Sequence, residues 1–259
     1  MDLLNELATL LPHWHTWLLL LLAAFSAGFI DAIAGGGGLI TIPALLMAGL
    51  PPHLALGTNK LSSSFGSFTA TLVFIRKGIF NPKHWLLLLF ATLAGAIIGT
   101  IAASLISIDI LNQVLPMIII GVAIYMLFQN YSNLDTNRPP YPRSNAVKIT
   151  QGCSIGFYDG IAGPGTGSFW VVSNLILYKQ SLLQSSGIAR AMNFVSNITS
   201  LVTFAILGHV NWMIGIAMGL VLLIGAWLGA HLAISKGAHL IKPIFMTVVI
   251  AISVKLLAF

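Results

Sequence analysis

The chain has 259 residues, of which 57% are hydrophobic and 7% charged, and its mean hydropathy is +0.94. Soluble domains carry about 25% charged residues, so this composition cannot cover a surface that faces water, and we expect the chain to lie in a lipid bilayer. The net charge is +6, but the cations form no basic cluster, which leaves a nucleic-acid interface unsupported. A single cysteine excludes a disulfide framework and a cysteine metal site.

Several apolar runs are long enough to cross about 30 Å of hydrocarbon as helices, which takes about 20 residues. The clearest are 17–33, 61–75, 85–106, 110–128, 187–206, 212–234 and 243–257. Three further runs, 39–50, 149–161 and 169–178, are short or broken by Gly and Asp, and they predict half-helices or re-entrant segments. The sequence therefore predicts an all-α polytopic integral membrane protein with about ten helical segments.

Lys and Arg residues, which mark cytoplasmic loops, are unevenly distributed. They occur in the loop 76–83, in the polar stretch 129–148 and in the loop 236–242, and we expect these three on the inside. The loop 207–211 carries none and is expected outside. Both termini are then expected on the outer side, which is the periplasm for a bacterial inner membrane.

The sequence repeats itself at an offset of 128 to 130 residues. Residues 28–35, GFIDAIAG, return as 156–163, GFYDGIAG, and Lys60 corresponds to Arg190. Equivalent loops carry opposite charge bias, which predicts two inverted transmembrane repeats, 1–128 and 149–259, joined by a cytoplasmic linker at 129–148. This plan is typical of secondary transporters, which bind substrate where the repeats meet, although a channel or an intramembrane enzyme is compatible with it.

Each repeat contains a glycine-rich loop before a short apolar run. Glycine lets a ligand approach the backbone, and a following half-helix would direct its N-terminal amides into the gap, so the loops predict an anion site. Its candidate residues are Gly35, Gly36, Gly37, Gly38 and Thr41 in the first loop and Gly163, Gly165, Thr166, Gly167 and Ser168 in the second. Alternatively, the glycines only let helices cross closely, which suffices for the GxxxG pairs Gly95/Gly99 and Gly225/Gly229.

Four charged residues lie in or beside apolar segments, where their cost marks a candidate functional site. Lys60 and Arg190 either bind the anion or extend to the membrane interface, and Arg190 has the donors to grip an oxyanion twice. Asp31 and Asp159 either form structural ion pairs with these cations, cap a broken helix, or carry a proton coupled to transport. Asn59, Asn193 and Asn197 lie near the cations as further ligands, or they only join helices.

Other kinds of site have little support in the sequence. The seven histidines show no metal-ligand spacing, and neither glycine loop is followed by the Gly-Lys-Ser/Thr of a P-loop. Ser168 with His209 offers a hydroxyl and an imidazole without an identifiable base geometry. We therefore expect no metal, no nucleotide cofactor and no enzymatic activity.

Residues 28–43, GFIDAIAGGGGLITIP, and 57–60, GTNK, closely resemble the first signature of the TauE/SafE family of sulfite and organosulfonate permeases, also called the 4-toluene sulfonate uptake permease family. GFYDGIAGPGTGS at 156–168 and ARAMNFVSN at 189–197 resemble its second signature. The resemblance covers nearly the whole chain and implies export of a small sulfur oxyanion, such as sulfite, sulfoacetate or a related organosulfonate, across the inner membrane.

Alternatives to this function are transport of another small organic anion, uptake instead of export, and a passive anion channel. The second loop also departs from the first, because Pro164 and Thr166 stand in place of glycines, so the halves need not bind ligand equivalently. The GxxxG faces are compatible with a homo-oligomer or with contacts between the repeats of one chain.

Overall fold

A computed structural model describes residues 14–128 and 143–236 of the chain. In these ranges the backbone forms helices and no strand, which confirms the all-α prediction. A 3₁₀ turn, Pro82–Trp85, precedes the fourth helix. The helices are α1 (Trp14–Ala34), α2 (Gly38–Met47), α3 (Pro52–Arg76), α4 (Leu86–Leu105), α5 (Ile108–Phe128), α6 (Asn145–Ile161), α7 (Thr166–Tyr178), α8 (Leu182–Ile206) and α9 (Trp212–Lys236). The expected span 243–257, most of the linker 129–148 and both chain ends lie outside the described residues.

Several helices have the length and composition of membrane spans. Within the described ranges, four stretches are long and apolar enough to cross a membrane: Trp14–Ala34, Pro82–Leu105, Ile108–Met126 and Trp212–Ser235. Their outer faces expose large apolar side chains such as Phe90, Ile98 and Met117, which suit contact with lipid. The chain is therefore a polytopic membrane protein.

The short helices do not cross the membrane by themselves. α2 has ten residues and α7 has 13, so at 1.5 Å per residue they are about 15 and 20 Å long, less than the hydrocarbon thickness. Each runs from a glycine loop to the start of the next long helix. This agrees with half-helices at 39–50 and 169–178.

The run 149–161 differs from the prediction, because α6 is one unbroken helix of 17 residues. Its glycines do not interrupt the helix; they face α4, where a side chain would not fit. A Cβ atom on Gly156 would clash with the carbonyl oxygen of Thr92, and one on Gly160 with that of Ala96. Gly in this helix therefore marks a close crossing of two backbones.

In each half, the fourth helix packs on the first helix of the other half. α4, the fourth helix of the first half, packs on α6, and α9, the fourth helix of the second half, packs on α1. A Cβ on Gly95 would clash with the Cys153 carbonyl oxygen, and one on Gly225 would clash with that of Phe25, the matching position. Both GxxxG pairs thus join the repeats within one chain.

The third helices of the two halves, α3 and α8, cross in opposite directions at the centre. Gly57, near the start of α3, contacts His209, which follows the end of α8, while Gly187, near the start of α8, contacts Phe74, near the end of α3. These two equivalent helices are therefore antiparallel. This crossing brings Lys60 of α3 and Arg190 of α8 into the interior.

Candidate functional site

The two glycine loops meet in the interior of the protein. Gly35 has a φ of +78°, and a Cβ added to it would lie 2.5 Å from the backbone nitrogen of Ser168. The hydroxyl group of Ser168 donates a hydrogen bond of 2.8 Å to the carbonyl oxygen of Ala34. Only glycine at position 35 allows both the backbone conformation and this contact. The structure thus brings together the loops that the sequence predicted to form one site.

The four charged residues form two ion pairs that cross between the halves. Lys60 Nζ lies 2.7 Å from Asp159 Oδ1 and donates to the Asp159 carbonyl oxygen at 2.5 Å. Arg190 Nη1 lies 3.2 Å from Asp31 Oδ2 and also donates to the Asp31 carbonyl oxygen. The cation side chains are 1% and 0% exposed, so the alternative that they extend to the membrane interface is wrong.

The aspartates of the two pairs have different surroundings. Asp159 is 4% exposed, and besides Lys60 it accepts hydrogen bonds from the hydroxyl groups of Thr166, at 3.1 Å, and Ser196. Asp31 is 21% exposed, and its Oδ1 accepts the backbone N–H groups of Gly36 and Gly37, both at 3.0 Å. Asp31 therefore combines two of the predicted roles, ion pairing and capping of the loop before α2.

A small cavity of about 20 Å³ lies between the loops. This is room for about one water molecule. Its walls are Asp31, Gly36, Gly37, Gly38, Asn59, Ser63, Asp159, Gly163, Thr166, Gly167, Asn193 and Asn197.

The remaining predicted residues surround this wall. Thr41 donates to the side-chain oxygen of Asn59, and Gly165, with a φ of +73°, precedes α7 and packs against Val122. Tyr158, which was not among the predicted site residues, donates to the Pro164 carbonyl oxygen at 2.7 Å and so holds the second loop. The only sequence signal for it is a tyrosine where the first repeat has isoleucine.

Two fully or largely buried side chains near the cavity have polar atoms without a partner. Nε and Nη2 of Arg190 and Oδ1 of Asn193 have no hydrogen-bond partner among the described residues. A Cβ on Gly167 would lie 2.8 Å from Arg190 Nη2 and 3.0 Å from Asn193 Nδ2, so both groups stand directly beside the loop that lines the cavity. A buried donor without an acceptor costs about 1–3 kcal/mol. The site therefore has donors available for a ligand oxygen.

Other chemistry has less support in the part of the chain described. No three His, Cys, Asp or Glu side chains cluster there in a way that would hold a metal ion. His53 and His209 stack with ring centroids 5.1 Å apart, and His53 Nε2 lies 3.2 Å from the carbonyl oxygen of Ala103 at the end of α4. Because Ser168 bonds to a carbonyl oxygen, its hydroxyl proton is engaged there.

Comparison with known proteins finds membrane transporters among the relatives of this chain. The chain is 42% identical to "Probable membrane transporter protein ORF9" of Sinorhizobium sp. over 95% of this chain and 94% of that protein. It is 40% identical to a probable membrane transporter protein of Haemophilus influenzae, over 87% and 88% of the two chains. It is 39% identical to "Probable membrane transporter protein YfcA" of Escherichia coli K12, over 92% and 88%. No solved structure gives a significant match.

The sequence profile of one family spans nearly the whole chain. The profile described as "Sulfite exporter TauE/SafE" matches residues 20–256, which include both glycine loops and both buried cations. The chain therefore belongs to the TauE/SafE family of membrane transporters.

Proposed function

We propose that this protein is a secondary transporter that exports a small sulfur-containing oxyanion, such as sulfite, sulfoacetate or a related organosulfonate, across the bacterial inner membrane. The observation that carries the proposal is the guanidinium group of Arg190, which is fully buried beside the glycine loops and has two nitrogen atoms without an acceptor among the described residues. Besides its ion pair with Asp31, this group can donate to the oxygen atoms of an oxyanion through these two nitrogen atoms.

The cavity wall supplies the remaining contacts in this proposal. Backbone amides of the loops bind one oxygen, helped by the N-terminal ends of α2 and α7. The amide groups of Asn59, Asn193 and Asn197 bind the others. Lys60 contributes positive charge from behind Asp159, to which its ammonium group is bonded.

Transport requires the two loops to separate. The cavity has room for about one water molecule, and the contact of Gly35 with Gly167 closes it. We propose that rocking of repeat 1–128 against repeat 149–259 opens the site to each side in turn. In this proposal the linker 129–148 faces the cytoplasm and both termini face the periplasm, which the distribution of Lys and Arg among the loops supports.

Proton coupling belongs to the same proposal. The charges of Asp31, Asp159, Lys60 and Arg190 sum to zero, so protonation of one aspartate leaves a net positive site for the anion. Exchange that is independent of the pH gradient and unchanged in Asp31→Asn and Asp159→Asn contradicts this coupling.

Counterflow of labelled sulfite and sulfoacetate in proteoliposomes tests the function. We expect saturable exchange that is lost in Arg190→Ala and Lys60→Ala and retained in Arg76→Ala, which removes an exposed cation at the end of α3. Flux without saturable counterflow indicates a passive channel. No exchange of either anion by folded protein contradicts the proposed cargo.

A further inference from the structure

The carboxylate of Asp31 is bound by the same kinds of donor that proteins use to bind an oxyanion. Its Oδ1 accepts two successive loop amides, those of Gly36 and Gly37, and its Oδ2 faces the guanidinium group of Arg190. Two backbone N–H groups of one loop together with an arginine are a recurrent binding arrangement for phosphate, sulfate and carboxylate groups. The side chain of Asp31 thus already fills an anion position.

Asp159, the matching residue of the second half, does not fill such a position. In the described ranges its carboxylate is bonded to the Lys60 ammonium group and to the hydroxyl groups of Thr166 and Ser196. The residue that corresponds to Gly36 is Pro164, which has no N–H group to donate. Only the first half therefore offers the two amides to its own aspartate.

Space and charge both keep an external anion out while Asp31 stays in place. The cavity of about 20 Å³ has room for about one water molecule. Two buried cations and two carboxylates also leave the site without net charge, so it exerts no overall attraction on an anion. Removing the Asp31 carboxylate from the donors gives both the space and a net positive charge.

We propose that the carboxylate of Asp31 is an internal anion in the position of the transported oxyanion, and that the substrate displaces it from the Gly36 and Gly37 amides and from Arg190. This inference rests on the proposed function and deepens it, because it assigns the substrate to the first loop and to Arg190. The Lys60–Asp159 pair remains intact throughout. Asp31 is the more exposed of the two aspartates, which suits a carboxylate that leaves its donors.

Formate tests the anion position without reference to the natural cargo. In Asp31→Ala the donors remain and the carboxylate is gone, so formate is expected to raise the melting temperature of the purified variant in a concentration-dependent way. Asp109→Ala, which removes an exposed carboxylate at the start of α5, is the control and is expected to show no such rise. If Asp31→Ala folds poorly, a higher yield of folded protein in formate is the same result. No effect of formate on Asp31→Ala overturns the inference.

Binding of labelled sulfoacetate tests the displacement. Asp31→Asn keeps the size of the side chain and removes the competing charge, so the apparent Kd is expected to fall about tenfold or more. Asp159→Asn also makes the site net positive but leaves the Asp31 carboxylate on its donors, so it is expected to bind no more tightly than the unmodified protein. Equal or weaker binding by folded Asp31→Asn overturns the displacement. If the unmodified protein and Asp31→Asn both fail to bind sulfoacetate, the cargo is wrong, and a formate effect on Asp31→Ala still supports the anion position.

Discussion

Removal of Lys60 alone from the buried Lys60–Asp159 pair is expected to destabilise the protein strongly. The two side chains are 1% and 4% exposed and 2.7 Å apart. Lys60→Met leaves a buried carboxylate without its cation, and removing one partner of such a pair costs about 3–5 kcal/mol. The hydroxyl groups of Thr166 and Ser196 still donate to Asp159, so we expect a loss near the lower value, about 3 kcal/mol.

The double variant Lys60→Met/Asp159→Asn separates the charge effect from the loss of packing. With both charges removed, no unpaired ion remains, and the free energy of unfolding of the double variant is expected to lie closer to that of the unmodified protein than to that of Lys60→Met. Unfolding in detergent micelles with increasing SDS, followed by circular dichroism, gives the four free energies of a double-mutant cycle. Lys77→Met, which removes an exposed cation just after α3, is the control and is expected to change stability by less than about 0.5 kcal/mol.

Two results would refute this reasoning. In the first, Lys60→Met is as stable as the unmodified protein, which means that the carboxylate needs no cation. In the second, the double variant is no more stable than Lys60→Met, which means that the loss came from packing of the lysine stem.

Three further predictions concern packing, pH and topology. Gly95→Ala places a methyl group against the Cys153 backbone and is expected to destabilise the protein by about 1–3 kcal/mol, whereas Gly121→Ala, in open space on α5, is expected to be neutral or stabilising; equal effects in the same SDS titration would contradict the close crossing. Burial and the neighbouring His53 lower the pKa of His209, in the loop after α8. The unfolded chain therefore binds the proton more readily, and the free energy of unfolding is expected to fall as pH drops below about 6.5; His209→Gln flattens this dependence and His231→Gln does not, and an unchanged pH profile in His209→Gln would count against it. In a Cys153→Ser background, Lys77→Cys is expected to react with a membrane-impermeant maleimide only from the cytoplasmic side and Leu207→Cys only from the periplasmic side; the reverse labelling would invert the topology.

Most of the architecture was predictable from the sequence, because it depends on features that act locally or repeat along the chain. The composition indicated a membrane protein, and the apolar runs predicted the long helices. The repeat offset predicted that α3 and α8 are equivalent. The misjudged element was α6, where Gly152, Gly156 and Gly160 suggested a broken helix. A glycine that starts a turn and a glycine that admits a neighbouring helix look the same in a sequence, and only the contact with α4 distinguishes them.

The partners of the charged residues were not predictable, although the residues themselves were. The repeat makes Lys60 equivalent to Arg190 and Asp31 equivalent to Asp159, but equivalence does not say which cation meets which carboxylate. The pairing follows from the fold. α1, which carries Asp31, and α6, which carries Asp159, each pack against helices of the opposite half, and each aspartate pairs with the cation of that half.

The replacement of Gly36 by Pro164 in the second loop was visible in the sequence from the start, yet its chemical consequence depends on the fold. It matters only because the first loop directs its amides at its own aspartate. A proline at the matching position removes one such donor, and a threonine hydroxyl two residues later takes part of its place at Asp159. The two aspartates at equivalent positions are therefore held differently: Asp159 by the side chains of Lys60, Thr166 and Ser196, and Asp31 by two loop amides and Arg190.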